Sequence, residues 1–238
     1  MPNNYFQFKQ FRINQDKCSM KVCTDSCVFG AWVAEKVRSK SPNKILDIGT
    51  GTGLLSLMVV QKKSLAIDAI DIDENAATQA KENFEASPWN KNLTAFCENI
   101  LSWKTDSKYD CIISNPPFFE NDLLPEKEGN KNSKHANSLT LYDLIAAANV
   151  MLEDDGFFCV LLPYARAEYF EKEASKHSLF VNERLDIKQS TLHGFFRTIL
   201  LLERKQSPVK QNELAIKNEI NEYTPEFITL MKDYYLYL

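Results

Sequence analysis

The chain has no apolar run approaching the roughly 20 residues that cross a bilayer. Met1 to Phe11 shows no basic stretch followed by an apolar one. The expectation is therefore a cytoplasmic protein with neither membrane anchor nor secretory leader. Positive charge is not in excess either: the formal net charge is −4. Whole-chain electrostatics thus give no argument for nucleic acid, although a local basic face can sit on an acidic protein. Residues for such a face are Lys9, Arg12, Lys17 and Lys21, with Lys127, Lys131 and Lys134 further on. The three histidines, His135, His177 and His193, fall in separate segments and form no triad. Cys18, Cys23 and Cys27 are separated by four and three residues, which matches neither a zinc pair nor an iron–sulfur motif. No metal is expected, and the six cysteines read as free thiols of a reducing compartment. Internal repeats and low-complexity tracts are absent as well. What remains is an ordinary globular chain of 238 residues, long enough for one domain with extras.

Its middle alternates strand-like and helix-like segments. Lys44 to Ile48, Leu65 to Asp71, Leu93 to Cys97, Tyr109 to Ser114 and Phe157 to Leu162 read as strands. Leu54 to Gln61, Glu74 to Phe84, Thr140 to Leu152 and Glu168 to Lys176 read as helices, with a turn at Asp154-Asp155-Gly156. Such alternation predicts an α/β fold, a mostly parallel seven-stranded sheet with helices on both faces. Two further strands, Val181 to Ile187 and Arg197 to Leu202, join through Gly194 without a helix between them, which predicts an antiparallel edge hairpin. Glu120 to Ser138, polar and lysine-rich, reads as a mobile loop beside the site. Gln206 to Asn218 reads as a linker, and Pro225 to Leu238 as a short aromatic-rich helix docked on the body.

Asp47-Ile48-Gly49-Thr50-Gly51-Thr52-Gly53 joins the first of these strands to its helix. Glycines there let a ligand approach the backbone near a helix N-terminus. A dinucleotide fingerprint runs Gly-x-Gly-x-x-Gly and offers amides to a pyrophosphate. This turn runs Gly-x-Gly-x-Gly and is preceded by an acid. A carboxylate at Asp47 would repel pyrophosphate but suits a ligand with an amino cation, such as S-adenosylmethionine; capping of the turn's own amides is the other reading. Asp71 ends the next strand, about 20 residues on from the turn, where an acid can accept both hydroxyls of a ribose. Asp73 is better explained as the N-cap of the following helix.

Asn115-Pro116-Pro117-Phe118 follows the strand Tyr109 to Ser114. Two prolines cannot continue a sheet ladder, and they fix the backbone where it leaves the strand. One amide, one carbonyl and one ring are thereby locked into a cup for a flat ring bearing an amine. The Asn115 amide oxygen and the Pro116 carbonyl can accept the amine's protons while Phe118 stacks on the ring. A stiff proline turn with no chemistry is the plainer alternative.

Taken together, Asp47 to Gly53, Asp71 and Asn115 to Phe118 resemble the motif set of class I S-adenosylmethionine-dependent methyltransferases. Asn-Pro-Pro-Phe resembles the branch acting on amino nitrogens. Phe8 to Phe11, Met20 to Ser26, Gly30-Ala-Trp32, Asn83 to Trp89, His135 to Leu139 and Tyr223 to Phe227 resemble the bacterial tRNA1(Val) adenine N6-methyltransferase family over nearly the whole chain. The resemblance implies a Rossmann-like fold and S-adenosylmethionine as cofactor. It implies methyl transfer to N6 of an adenine beside the anticodon of a valine tRNA. Asn115, Pro116, Pro117 and Phe118 would be catalytic. The cofactor would meet Asp47, Ile48, Gly49, Thr50, Gly51, Gly53, Asp71, Ile72, Asn99, Ile100 and Asn115, with Thr24 and Asp25 at its methionine end. Where the wider class often has an aspartate facing the adenine amine, this chain has Asn99. The expected organisation is an N-terminal extension, 1–30, that contributes to the site, a methyltransferase domain, 31–205, and a linker with C-terminal helix, 206–238. A monomer is expected. Methylation of DNA, of a ribosomal RNA guanine or of a protein glutamine shares the Asn-Pro-Pro motif; a non-catalytic binding module and a dehydrogenase are the other classes.

Overall fold

In the computed structural model, which describes residues 3–18, 20–117 and 139–238, the run Lys-Ile-Leu-Asp-Ile forms strand β3 (Lys44–Ile48). Preceding it are a small antiparallel hairpin, β1 (Tyr5–Gln7) with β2 (Arg12–Asn14), and helix α1 (Thr24–Lys40). The sequence reading places no element there. After β3 come α2 (Leu54–Lys62), β4 (Ala66–Asp71), α3 (Glu74–Glu85), β5 (Leu93–Cys97) and β6 (Tyr109–Ser114). Then follow α4 (Leu141–Met151), β7 (Leu152–Pro163), α5 (Ala167–Ser175), β8 (Phe180–Ser190), β9 (Phe195–Glu203), β10 (Lys210–Lys217) and α6 (Pro225–Met231). Asp73 caps α3 as expected, accepting from the Asn75 amide at 2.9 Å.

The strands form one sheet in the order β10-β8-β9-β7-β6-β3-β4-β5. It is parallel except at β9, which runs against both of its neighbours. Alternate residues face opposite sides. Ile45 joins a core built with α1, α2, α3 and α6, whereas Leu46 and Ile48 join a second core under α4 and α5. Nearly every residue of α2 is buried, because α1, the sheet and the residues just after α6 enclose it. No helix among the described residues is long and apolar enough to cross a membrane.

Two expectations need correction. The sheet has eight strands rather than seven, because the supposed linker contains β10. That strand pairs in parallel with β8, from Lys210 opposite Glu183 to Lys217 opposite Ser190, so the β8–β9 hairpin lies inside the sheet edge. An edge strand held by backbone pairing needs little apolar sequence, and only Leu214 and Ile216 are buried in it. Asp154 to Gly156 is not a separate turn either. It lies within β7 where the register slips, with Tyr109 opposite Leu152 but Cys111 opposite Phe157. The loop expected over Glu120 to Ser138 lies outside the described residues.

Chain order reverses between β3 and β6. From β3 the sheet grows through β4 to β5, then resumes on the other side of β3 with β6 and β7. Ligands of parallel sheets bind beyond the strand C-termini at such a switch point. Ile48 pairs with Ser114 there, and the Ser114 hydroxyl donates to the Ile48 carbonyl at 2.8 Å. The glycine turn and Asn115 therefore leave the sheet side by side.

Candidate active site

The turn after β3 is tied to β4 from below. The Gly49 and Thr50 amides donate to the Ile70 carbonyl at 2.8 and 3.1 Å, and the Gly51 amide donates to Asp71 Oδ2 at 2.9 Å. Gly49 and Gly51 adopt φ of 70° and 56°, which glycine alone accepts cheaply. A Cβ on either would meet nothing within 4 Å, so the space over the turn is open. At Gly53 a Cβ would press to 2.4 Å from the Phe84 ring, which is how closely α3 packs on the turn.

Asp47 is fully buried beneath this turn. Its Oδ2 accepts from Thr50 Oγ1 at 2.8 Å and Ser56 Oγ at 2.7 Å, while Oδ1 has no partner among the described residues. The carboxylate therefore binds hydroxyls and not the turn's amides. Burial pushes Asp47 up to about 6, against the pull of the Ser56 and Thr50 bonds, and the nearby Asp71 charge adds to the rise. Burial raises Asp71 as well, against its backbone bonds. Asp71 accepts one amide on each oxygen, from Asp73 at 3.0 Å and from Gly51, which leaves a lone pair on each for a further donor. Beside it Ile72 is half exposed. Ile100 is buried, and Asn99 is exposed with its Oδ1 accepting from the Leu101 amide at 2.9 Å. The oxygen expected to meet an adenine amine thus keeps one lone pair for it.

Asn115, partly buried at the end of β6, is followed by buried Pro116 and exposed Pro117; Phe118 lies outside the described residues. The Asn115 Nδ2 donates to Ser26 Oγ at 2.9 Å. Its Oδ1 is buried and has no partner among the described residues. A buried acceptor left bare costs about 1–3 kcal/mol, a cost that a donor from a bound molecule would remove. Ser26 sits in the first turn of α1, with Cys23 Sγ 2.9 Å from its hydroxyl. In the same turn Asp25 Oδ2 accepts from Arg197 Nε at 2.8 Å, and Thr24 meets the Tyr235 phenol.

The structure thus brings Asp47, Ile48, the glycine turn, Asp71, Ile72 and Asn115 to one sheet edge, with Thr24 and Asp25 carried over it by α1. Sequence reasoning missed Ser26 and Arg197. Ser26 lies in a motif already singled out, yet 89 residues separate it from Asn115, and no periodicity reaches that far. Among the described residues no group of three or more metal-ligating side chains occurs.

Residues 29–167 match the family model of the methyltransferase small domain. A protein of Trichodesmium erythraeum named tRNA1(Val) (adenine(37)-N6)-methyltransferase is 42% identical over 241 residues, covering 99% of each chain. One of the same name from Photorhabdus laumondii subsp. laumondii is 37% identical, over 98% of this chain and 95% of its own. A solved structure from Listeria monocytogenes, described as a class I S-adenosylmethionine-dependent methyltransferase, superposes with a TM-score of 0.63 at 20% identity, over 84% of this chain and 67% of that one. The ribosomal protein L11 methylase of Lactobacillus delbrueckii subsp. bulgaricus gives 0.53 at 20% identity, over 74% of this chain and 77% of its own. These two likenesses concern the fold.

Proposed function

Because the chain belongs to the tRNA1(Val) (adenine(37)-N6)-methyltransferase family, we propose that it methylates N6 of an adenine beside the anticodon of a valine tRNA. The methyl donor is S-adenosylmethionine, and the residues at the switch point fit it. Asp47 offers a bare carboxylate oxygen to an amino cation. Gly49 and Gly51 leave open space over the turn, and Ile48 leads the backbone into it. Asp71 keeps one acceptor on each oxygen for a ribose diol, and the exposed face of Ile72 suits an adenine ring, with Asn99 and Ile100 at its far edge. Thr24 and Asp25 border the methionine end; the Arg197 ion pair makes Asp25 secondary to Asp47 there.

One observation carries the reading of the reaction: the unpartnered Asn115 Oδ1. When bound, the cofactor supplies a methyl already activated on a sulfonium. The difficulty lies with adenine N6, whose lone pair is delocalised into the ring. Asn115 Oδ1 accepts one N6–H, and the Pro116 carbonyl accepts the other. Both acceptors stabilise positive charge growing on nitrogen, as preorganised dipoles do. Ser26, by accepting from Asn115 Nδ2, keeps the oxygen and not the NH2 facing the amine. Asn115 has no proton affinity near neutral pH and serves as an acceptor only; the proton leaves to water. Phe118 stacks on the base, a contact of about 1–3 kcal/mol on the truncation scale. An adenine in a loop reaches such a cup more cheaply than one in a duplex.

The test uses labelled S-adenosylmethionine and bulk tRNA from cells lacking this protein. Labelled N6-methyladenosine is expected with the wild type and absent with Asn115→Ala, which keeps its cofactor affinity. Unlabelled tRNA with wild-type protein that binds cofactor overturns the tRNA reading; label in ribosomal RNA, DNA or protein glutamine would identify the substrate instead.

A further inference from the structure

We propose that an aromatic cluster beside Asn115, at the start of β9, holds the unpaired RNA bases that flank the target adenine; this rests on the tRNA reading above. The cluster's place follows from register. Ser114 lies opposite Val160, and β7 runs on to Pro163, which pairs with Arg197 of β9. Tyr164 and Phe195 therefore stand about 10 and about 13 Å beyond the level of Asn115, one and two strands to its side. Their stacked rings form a wall farther out on the β9 side of Asn115. From Arg197, two residues along β9 from Phe195, contacts lead back to the cup: Arg197 to Asp25, and the adjacent Ser26 to Asn115.

The wall's chemistry fits bases more than phosphates. Tyr164 and Phe195 stack with centroids 5.1 Å apart and planes at 30°. Lys188 lies 4.3 Å from the Phe195 centroid, and Arg184 5.4 Å from that of Tyr164. Both cations already have acids beside them, Lys188 with Glu213 at 3.1 Å and Arg184 with Asp186 at 2.9 Å. Yet Tyr164 is exposed, Phe195 partly so, and Leu192 at the hairpin tip is 73% exposed. Apolar rings and a leucine left in water at a site rim mark a contact surface. Splayed single-stranded bases stack on such rings and on arginine planes whatever their sequence. A base entering here takes the place of Lys188 on the Phe195 face and frees its ammonium for a phosphate. An occupant bound through stacking also suits a chain of net charge −4, which has no broad positive field to offer.

Steady-state methylation of tRNA, with separate titration of the cofactor, tests the assignment. Phe195→Ala and Tyr164→Ala should raise KM for tRNA roughly tenfold each, the loss of one stacked base, with kcat and cofactor affinity unchanged. Phe195→Tyr keeps a ring and should keep the wild-type KM. Should an alanine variant fail to bind cofactor, and so fail as a folded protein, Lys188→Glu on the surface reads the same effect. An unchanged KM in these variants overturns the proposal. So does a fall in kcat alone, which would mean the cluster serves Asn115 through Arg197 and touches no RNA. Wild-type protein that leaves tRNA unmethylated overturns the functional reading itself, and the RNA occupant falls with it.

Discussion

At the scale of single residues, the site depends on which atom of a side chain is left bare. Asn115 presents an oxygen because Ser26 holds its nitrogen. Ser26→Ala frees the amide to turn, so kcat should fall about tenfold, the worth of one hydrogen bond at most, with cofactor affinity unchanged. Ser26→Thr restores the hydroxyl and should recover most of the loss; a variant that merely loosened α1 would not be rescued. Asp47 yields a pH prediction. Raised to about 6 by burial, it must be ionised to hold an amino cation. Cofactor affinity should therefore fall as pH drops through about 6, close to tenfold per unit below it. Stability runs the other way. A carboxyl whose folded value exceeds its unfolded one binds more protons folded, so its contribution falls as pH rises from about 4 through 6. The melting temperature of Asp47→Asn minus that of the ligand-free wild type should accordingly increase over that interval. A flat difference would mean Asp47 titrates like an exposed acid.

At the scale of elements, the sequence was most readable where strands are central. The limits of β3 and β6 follow from their apolar runs, because both faces of a central strand are buried and its ends must meet turns. Elements at the margins carry weaker signals. The β10 strand buries two side chains and is fixed by pairing with β8, and α1 begins in a run whose only clues are family-like residues. The same contrast holds at the site. Asp47, Asp71 and Asn115 each end a readable strand, whereas Ser26 and Arg197 reach the site through contacts 89 and 172 residues apart in the chain. The C-terminal helix was legible from its aromatic residues, and it belongs to the core. Phe227 and Met231 of α6 are wholly buried, and Tyr234 donates to the Met58 carbonyl at 3.0 Å. Phe227→Ala should cost about 3–5 kcal/mol in urea unfolding. A loss below about 1 kcal/mol would show that α6 rests on the body without sharing its core.

At the scale of the whole molecule, the open switch point predicts coupling between ligand and stability. Ligand at a hundred times its dissociation constant adds about 2.7 kcal/mol. For a chain of this size that is roughly 5–10 °C in melting temperature. S-adenosylmethionine should produce this shift and a nicotinamide dinucleotide should not, since Asp47 repels pyrophosphate; the reverse result would overturn the assignment of the switch point to S-adenosylmethionine. The two ends of the fold also close on each other. The Lys9 amide donates to the Tyr234 carbonyl at 2.9 Å, Phe6 packs on Tyr235, and Tyr235 meets Thr24 at the turn that carries Ser26. The consequence is one of timing. As the chain leaves the ribosome, the strands bearing Asp47, Asp71 and Asn115 emerge well before Tyr235. The turn that holds the Asn115 amide gains its backing only once Tyr235 has emerged, so a nascent chain can carry Asp47, Asp71 and Asn115 and still be silent until then.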